Sequence, residues 1–235
     1  MRFDERLENQ LRNVEITPNF TQTTGGSALI TWGNTKVLCT AMLEIGTMPF
    51  LKDTGKGWLT AEYAMLPSST LTRKKREGAK PDGRSTEIKR LIGRSLRNAV
   101  DFEKLGENTI WIDCDVLQAD GGTRTASITG AYVALRLGVK KWLDAGLLTC
   151  DPLVHQIAAV SVGIVDDVPM LDLCYKEDSG ADVDMNLVMN ESGEFIELQG
   201  TGEGRSFTRS ELDVLLGLGE KGIRDLMELQ NKACE

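Results

Sequence analysis

A chain of 235 residues can bury a substantial core in one domain or two closely packed ones, and its 41% hydrophobic and 26% charged residues are ordinary for a soluble globular protein. No apolar run approaches membrane-spanning length, and the opening residues are too charged for a secretory signal; five scattered cysteines without C-x-x-C spacing argue for reduced thiols in a cytoplasm, against a disulfide framework or a zinc site. The net charge of −8 speaks against a nucleic-acid partner until it is resolved by position: the window 72–97 holds ten Lys or Arg and three Asp or Glu, a local +7 that leaves −15 for the rest, so a cationic block can steer a polyanion locally.

In chain order, apolar alternation and turn residues predict strands at 14–17, 27–32 and 36–43, with Gly25-Gly26 and Gly33-Asn34 as turns. A further strand spans Trp58 to Tyr63 within a segment that ends at Pro67. The basic loop follows, with Pro81-Asp82-Gly83 as a turn, and a helix begins at Ser85, capped by Ser85 or Thr86. Ile88, Leu91, Ile92, Leu96 and Ala99 recur on one face of that helix, and Arg90, Arg94 and Arg97 fall on its polar side. Ile110, Ile112, Cys114 and Val116 alternate as a strand ending near Leu117. A second helix runs from about Thr123 to Leu143, its small early residues (Ala126, Ser127, Gly130, Ala131) permitting close packing on a sheet. Asp151-Pro152 is the clearest boundary and divides the chain into halves 1–150 and 151–235.

Beyond that boundary His155, the single histidine, reads as a surface loop residue, and strands are expected at 157–165, 170–175, 185–189 and 194–199. A Thr208-to-Glu211 capping box then introduces an amphipathic helix from Leu212 to about Lys232. Both halves run strands and then helix. The expected fold class is α+β, two similar β-α halves packed together.

Strand, then Gly121-Gly122-Thr123-Arg124, then helix is a geometry that offers unpaired N–H groups and a positive helix end to an anion. Arg124 adds a planar fork of donors suited to phosphate oxygens. A glycine turn with a structural arginine ion pair fits these residues equally well. Two other glycine patterns fail by context: the G-x-G-x-x-G at 217–222 interrupts a helix and lacks its acidic partner, and the one at 200–204 has Arg205 where a third glycine belongs. Glu177, Asp178, Asp182 and Asp184 crowd four carboxylates into eight residues, either as a solvated loop or as a magnesium or manganese site. Extended chain would separate Asp178 from Asp184 by ~20 Å at about 3.3 Å per residue, so meeting one ion requires a reversal, which Gly180 is expected to allow.

Together, residues 57–67, 83–97, 113–130, 171–178, 182–186 and 198–203 resemble the ribonuclease PH family, phosphate-dependent 3′-to-5′ exoribonucleases that trim tRNA precursors, over nearly the whole chain. The resemblance implies a ribonuclease PH-like fold, phosphorolysis that releases nucleoside diphosphates reversibly, and a cytoplasmic homohexamer, a trimer of dimers, with no membrane partner. It further implies that Arg84, Gly122, Thr123 and Arg124 bind the inorganic phosphate nucleophile. Asp178 and Asp184 would hold Mg2+ or Mn2+, or place one carboxylate as general acid, and Arg73 and Arg76 would lie at a subunit contact and support tRNA binding. The chain departs from the family at Phe3, Glu5 and Ser68, positions that the resemblance places near assembly or RNA contacts and away from the phosphate site. Two alternatives stay open: an exosome-type catalytic subunit that needs a partner, and a non-catalytic RNA-binding module that uses the basic block alone.

Overall fold

The computed structural model describes residues 2, 4–76 and 82–235. The first sheet comprises β1 (Val14–Pro18), β2 (Gly26–Trp32), β3 (Thr35–Ile45), β4 (Trp58–Met65) and β5 (Asn108–Gln118), in the order β1-β2-β3-β5-β4. All its pairs are antiparallel except β4 with β5. A parallel pair needs a long crossover, and here the crossover carries α1 (Gly83–Arg97) and α2 (Phe102–Leu105). The second sheet, ordered β7-β6-β8-β9, is antiparallel throughout and contains β6 (Ile157–Val165), β7 (Val168–Leu171), β8 (Val183–Asn190) and β9 (Phe195–Gly202). The described residues also form a 3₁₀ turn at Pro49–Leu51 and the helices α3 (Thr123–Asp144), α4 (Tyr175–Asp178) and α5 (Arg209–Cys234).

The buried helix α3 lies between the sheets, against β2 and β3 on one side and β6 on the other. Its small residues make that position possible. Gly130 lies against Cys39 and Ile30, and a Cβ on Gly26 would sit 1.9 Å from the Ala134 carbonyl oxygen. Gly26 is therefore a strand residue stripped of a side chain for close packing, not the turn expected. Polar groups stitch the same layer: Thr129 Oγ1 accepts from the Ala159 N–H at 3.1 Å, and Gln230 Nε2 donates to the Thr129 and Ile157 carbonyls, both at 2.9 Å. Each satisfies a buried group that would otherwise cost free energy. One apolar core runs through both halves, from Ile30 and Ile112 to Leu187 and Leu226.

Helix α1 buries the expected face, Ile88, Leu91, Ile92 and Leu96. Its cap is Asp82, whose carboxylate accepts from the Ser85 N–H at 2.6 Å, so the helix starts before Ser85 and Thr86. Pro81 of the expected turn, residues 77–80 of the basic block and Phe3 lie outside the described residues. Arg97 leaves the polar side: its guanidinium sits 4.3 Å from the Trp58 ring centroid, and its Nε donates to the Leu59 carbonyl at 3.0 Å.

Strand β7 stops at Leu171, short of the expected Tyr175, because Asp172 turns out of the strand with φ 58°. The acidic segment is not a loop. Glu177 and Asp178 lie on α4 and Asp184 lies within β8. The chain reverses across 179–182 without left-handed backbone at Gly180, so the expected role of that glycine is not used. The G-x-G-x-x-G at 217–222 sits inside α5, where Gly219 and Gly222 face Leu187 and Leu171. Among the described residues no helix is long and apolar enough to cross a membrane.

Candidate active site

Residues 119–122 carry the chain from β5 into α3, with Gly121 at φ 75° and Gly122 at φ 65°. Gly122 is the N-cap and supplies no side-chain oxygen, so no cap side chain satisfies the N–H groups of the first turn. A Cβ on Gly121 would lie 2.6–2.7 Å from backbone atoms of Leu173, Cys174 and Tyr175, so glycine lets this loop press directly on the second half. Thr123 opens the helix, and its Oγ1 accepts from the buried Tyr63 hydroxyl at 3.0 Å. Burial raises the Tyr63 phenol, against the opposing influence of that hydrogen bond and of Arg84 and Arg124.

Arg124 reaches across the interface between the halves. Its Nη1 donates to Gln199 Oε1 at 2.6 Å and lies 3.6 Å from Glu87 Oε1, and Gln199 Nε2 donates to the same Glu87 oxygen at 2.9 Å. Two turns along α1, Arg94 pairs with Glu197 at 2.8 Å, so Glu87 and Arg94 on α1 meet Gln199 and Glu197 on one face of β9. Arg84 stands exposed in the first turn of α1.

The β8–β9 register pairs Asp184 with Thr201 and Asn186 with Gln199, which puts all four side chains on one face of the second sheet. With Glu87, Arg124 and Glu203 they line a cleft of about 200 Å³. Burial raises the Asp178 carboxyl, opposed by the charges of Arg124 and Arg84. Burial likewise raises Asp184, the negative charge of Asp178 raises it further, and the same two arginines oppose both. Arg84, Arg124, Asp178 and Asp184 thus lie within electrostatic reach of one another, contributed by opposite halves of the chain.

A pair of half-buried, mutually repelling carboxylates is a hard-oxygen donor set that suits Mg2+ or Mn2+. No group of three or more His, Cys, Asp or Glu side chains converges as a metal cage among the described residues. A cation held by Asp178 and Asp184 would therefore keep several waters, as Mg2+ commonly does.

The remaining expected residues lie elsewhere. Arg73 and Arg76 are exposed on the loop after β4 and do not line the cleft, and Ser68 is exposed on the same loop. His155 sits at the surface and pairs with Glu191 at 3.1 Å. The amino-terminal segment packs against the second half next to Asp178. Its Arg2 and Arg6, neighbours of the departing positions Phe3 and Glu5, contact Asp172 and Glu177, immediately ahead of Asp178. Glu5 adopts φ 65°, a conformation that favours glycine. Asp172 itself is buried, which pushes its carboxyl up, yet the Arg12 charge and hydrogen bonds hold it below the ordinary value, and Trp32 Nε1 donates to it at 2.8 Å.

Sequence reasoning missed Glu87, Gln199, Asn186, Thr201 and Glu203. Two faint signals pointed to two of them: Glu87 follows Arg84 by one helical turn, and Asn186 follows Asp184 by the strand period of two, whereas Gln199 and Thr201 follow no predicted site residue. Glu203 had no such signal.

The chain matches the 3′ exoribonuclease family, domain 1 over residues 10–139 and domain 2 over residues 155–222. It is 58% identical over 234 residues to a ribonuclease PH from Corynebacterium efficiens, covering 99% of this chain and 96% of that one. A ribonuclease PH from Neisseria gonorrhoeae is 55% identical over 230 residues, covering 97% and 95%. Among solved structures, the Archaeoglobus fulgidus exosome with RNA bound to the active site has a TM-score of 0.81 at 26% identity, over 97% of this chain and 91% of that one. The glycine-led helix start facing two carboxylates is thus set in a sequence that matches both domains of one enzyme family, and the chain belongs to the ribonuclease PH family of 3′ exoribonucleases.

Proposed function

We propose that this protein is a phosphate-dependent 3′-to-5′ exoribonuclease that trims tRNA precursors and releases nucleoside diphosphates. The observation that carries this reading is that Arg84 and Arg124 from one half lie within electrostatic reach of Asp178 and Asp184 from the other. In phosphorolysis an oxygen of inorganic phosphate attacks the terminal phosphodiester, the bond from phosphorus to the 3′-oxygen breaks, and that oxygen takes a proton. The products are a nucleoside diphosphate and an RNA one unit shorter. Two anions must approach each other, so the protein's task is charge neutralisation and in-line placement.

Arg84, Arg124 and the backbone of Gly122 and Thr123 are the groups suited to hold the attacking phosphate. Gln199 and Glu87 hold the Arg124 guanidinium at the cleft until the anion arrives. Burial raises the Asp178 and Asp184 carboxyls, the direction that suits one of them to pass a proton to the leaving oxygen. The same two residues would hold Mg2+ or Mn2+, which when bound supplies positive charge beside the phosphodiester. The product is a phosphoanhydride, so the reverse addition of nucleotides from diphosphates follows.

The exposed Arg73 and Arg76 support tRNA binding outside the cleft. Exposed apolar side chains at Met42, Ile45 and Phe50 on the first half support a subunit contact, in keeping with a homohexamer in the cytoplasm. Identity of 58% to a ribonuclease PH, against 26% to an exosome chain, favours an enzyme that needs no different partner.

The test is a 3′-extended tRNA incubated with the purified protein, with and without phosphate. Nucleoside diphosphates released only when phosphate is present are expected. Monophosphates, or RNA that is bound but never shortened, would overturn the reading in favour of hydrolysis or of a binding module.

A further inference from the structure

Glu177 immediately precedes Asp178, and its carboxylate is gripped by an arginine 175 positions away. Arg2 Nε donates to Glu177 Oε1 at 2.7 Å and Arg2 Nη2 donates to Oε2 at 2.6 Å. The same guanidinium donates through Nη1 to the Leu171 carbonyl at 2.7 Å and through Nη2 to the Asp172 carbonyl at 2.8 Å. One planar fork therefore ties together both ends of the segment 171–177. The Arg2 side chain is 0% exposed and that of Glu177 6%, so neither charge is solvated.

From Glu177 the connection runs to Asp178 through two further bonds. Glu177 Oε2 accepts from the Cys174 N–H at 3.1 Å, and the Asp178 N–H donates to the Cys174 carbonyl at 2.8 Å. The other side of the segment is held as firmly: Arg12 Nη2 donates to Asp172 at 2.7 Å, and Gly121 abuts the backbone at 173–175. A buried ion pair is a weak source of stability, since apolar residues of the same volume often serve as well. Its advantage is direction. The fork fixes where the chain carrying the next carboxylate must lie.

We propose that Arg2 is a positioning residue which, through Glu177, fixes the Asp178 carboxylate for the divalent cation. This rests on the reading that Asp178 and Asp184 hold that cation. Lysine at position 2 would keep the charge and lose the fork that spans Glu177 and two carbonyls.

The experiment measures Mn2+ binding to the full chain, without RNA or phosphate, by electron paramagnetic resonance of the free ion. The proteins compared are the unaltered chain, Arg2→Lys, Glu177→Gln and Asp184→Asn, each with a thermal unfolding curve and a KM for phosphate. Asp184→Asn is expected to lose the site. Arg2→Lys is expected to weaken the Kd for Mn2+ by about 10- to 100-fold, the range for groups that orient metal ligands, with the KM for phosphate unchanged. If Arg2→Lys fails to fold, Glu177→Gln, which keeps the shape and removes the charge, is expected to weaken Mn2+ in the same direction. Mn2+ affinity unchanged in the folded Arg2 or Glu177 variant, with the site lost in Asp184→Asn, would overturn the positioning role alone. Full Mn2+ binding by Asp184→Asn would instead remove the cation reading beneath it.

Discussion

Arg84 stands exposed on the first turn of α1, and Arg124 is held by one amide and one carboxylate that an incoming anion can replace. On the facing side, Asp178 and Asp184 sit half-buried on a short helix and an interior strand, behind a layer of buried ion pairs from Arg2 and Arg12. In the proposed reaction the cationic side exchanges ligands at every turnover, so groups whose partners an anion can replace suit it. The anionic side must keep two like charges close, which burial makes unfavourable, and only a stiff surround maintains that arrangement. The second half shows both signs of this electrostatics. Asp172, stabilised as an anion, supports the fold above its unfolded pKa, and that support is lost as pH falls through its lowered folded pKa. Asp178 and Asp184, with raised folded pKa values, cost stability when ionised, and that cost fades as pH falls through them.

The largest effect expected from breaking this contrast is at Asp184. Asp184→Asn should lower phosphorolytic turnover by about 10³-fold or more, the scale of removing one electrostatic group from a phosphoryl-transfer site. The same change should raise Tm at neutral pH, because it removes a charge that the fold holds at a cost. That gain should shrink as the buffer is made acidic, where Asp184 is already protonated. Turnover measured beside calorimetry across pH checks both signs at once. An activity loss together with a fall in Tm would mean that Asp184 is scaffold rather than a strained functional group.

Next in size is Arg124. Arg124→Ala should reduce kcat/KM for phosphate by about 10²- to 10³-fold, comparable to losing one preorganised donor, and should lower Tm only slightly, since it removes the contacts to Gln199 and Glu87 and a charge that favours ionised Asp178 and Asp184. Arg124→Lys should recover part of the loss, because charge survives and the fork does not. Rates measured against phosphate concentration decide it. A normal phosphate dependence in Arg124→Ala would return the arginine to the role of an interdomain tie.

The same division governs what could be read from the sequence. Local signals were clear: Ile88, Leu91, Ile92 and Leu96 at helical spacing, Ile110 to Val116 in alternation, and the Gly121-Gly122 turn into a helix all describe elements as they stand. Long-range partners had no local signature. Arg124 meets Gln199 75 positions on, and Arg2 meets Glu177 175 positions on, so neither contact leaves a periodicity to detect. Where local propensity and tertiary contact disagreed, contact prevailed. The expected strand to Tyr175 breaks at Asp172 because Arg12 and Trp32 draw that carboxylate inward, and Gly26 continues a strand because α3 needs the space. Pairing Asp178 with Asp184 rested on resemblance, since spacing alone left a solvated loop and a metal site both open.

The smallest expected effect lies at Tyr63, and it sharpens the view of the cationic side as loosely held. Tyr63 donates its proton to Thr123 Oγ1, which leaves the threonine's own proton free to point elsewhere, toward an anion at the helix start. Tyr63→Phe removes that constraint and leaves the threonine hydroxyl one partner short. A single neutral hydrogen bond contributes about 1 kcal/mol, so the KM for phosphate should rise by roughly fivefold, with kcat within about twofold. A much larger loss, falling on kcat, would show that the phosphate side depends on rigid placement as heavily as the carboxylate side does. The contrast between the two walls of the cleft would then be one of exposure alone.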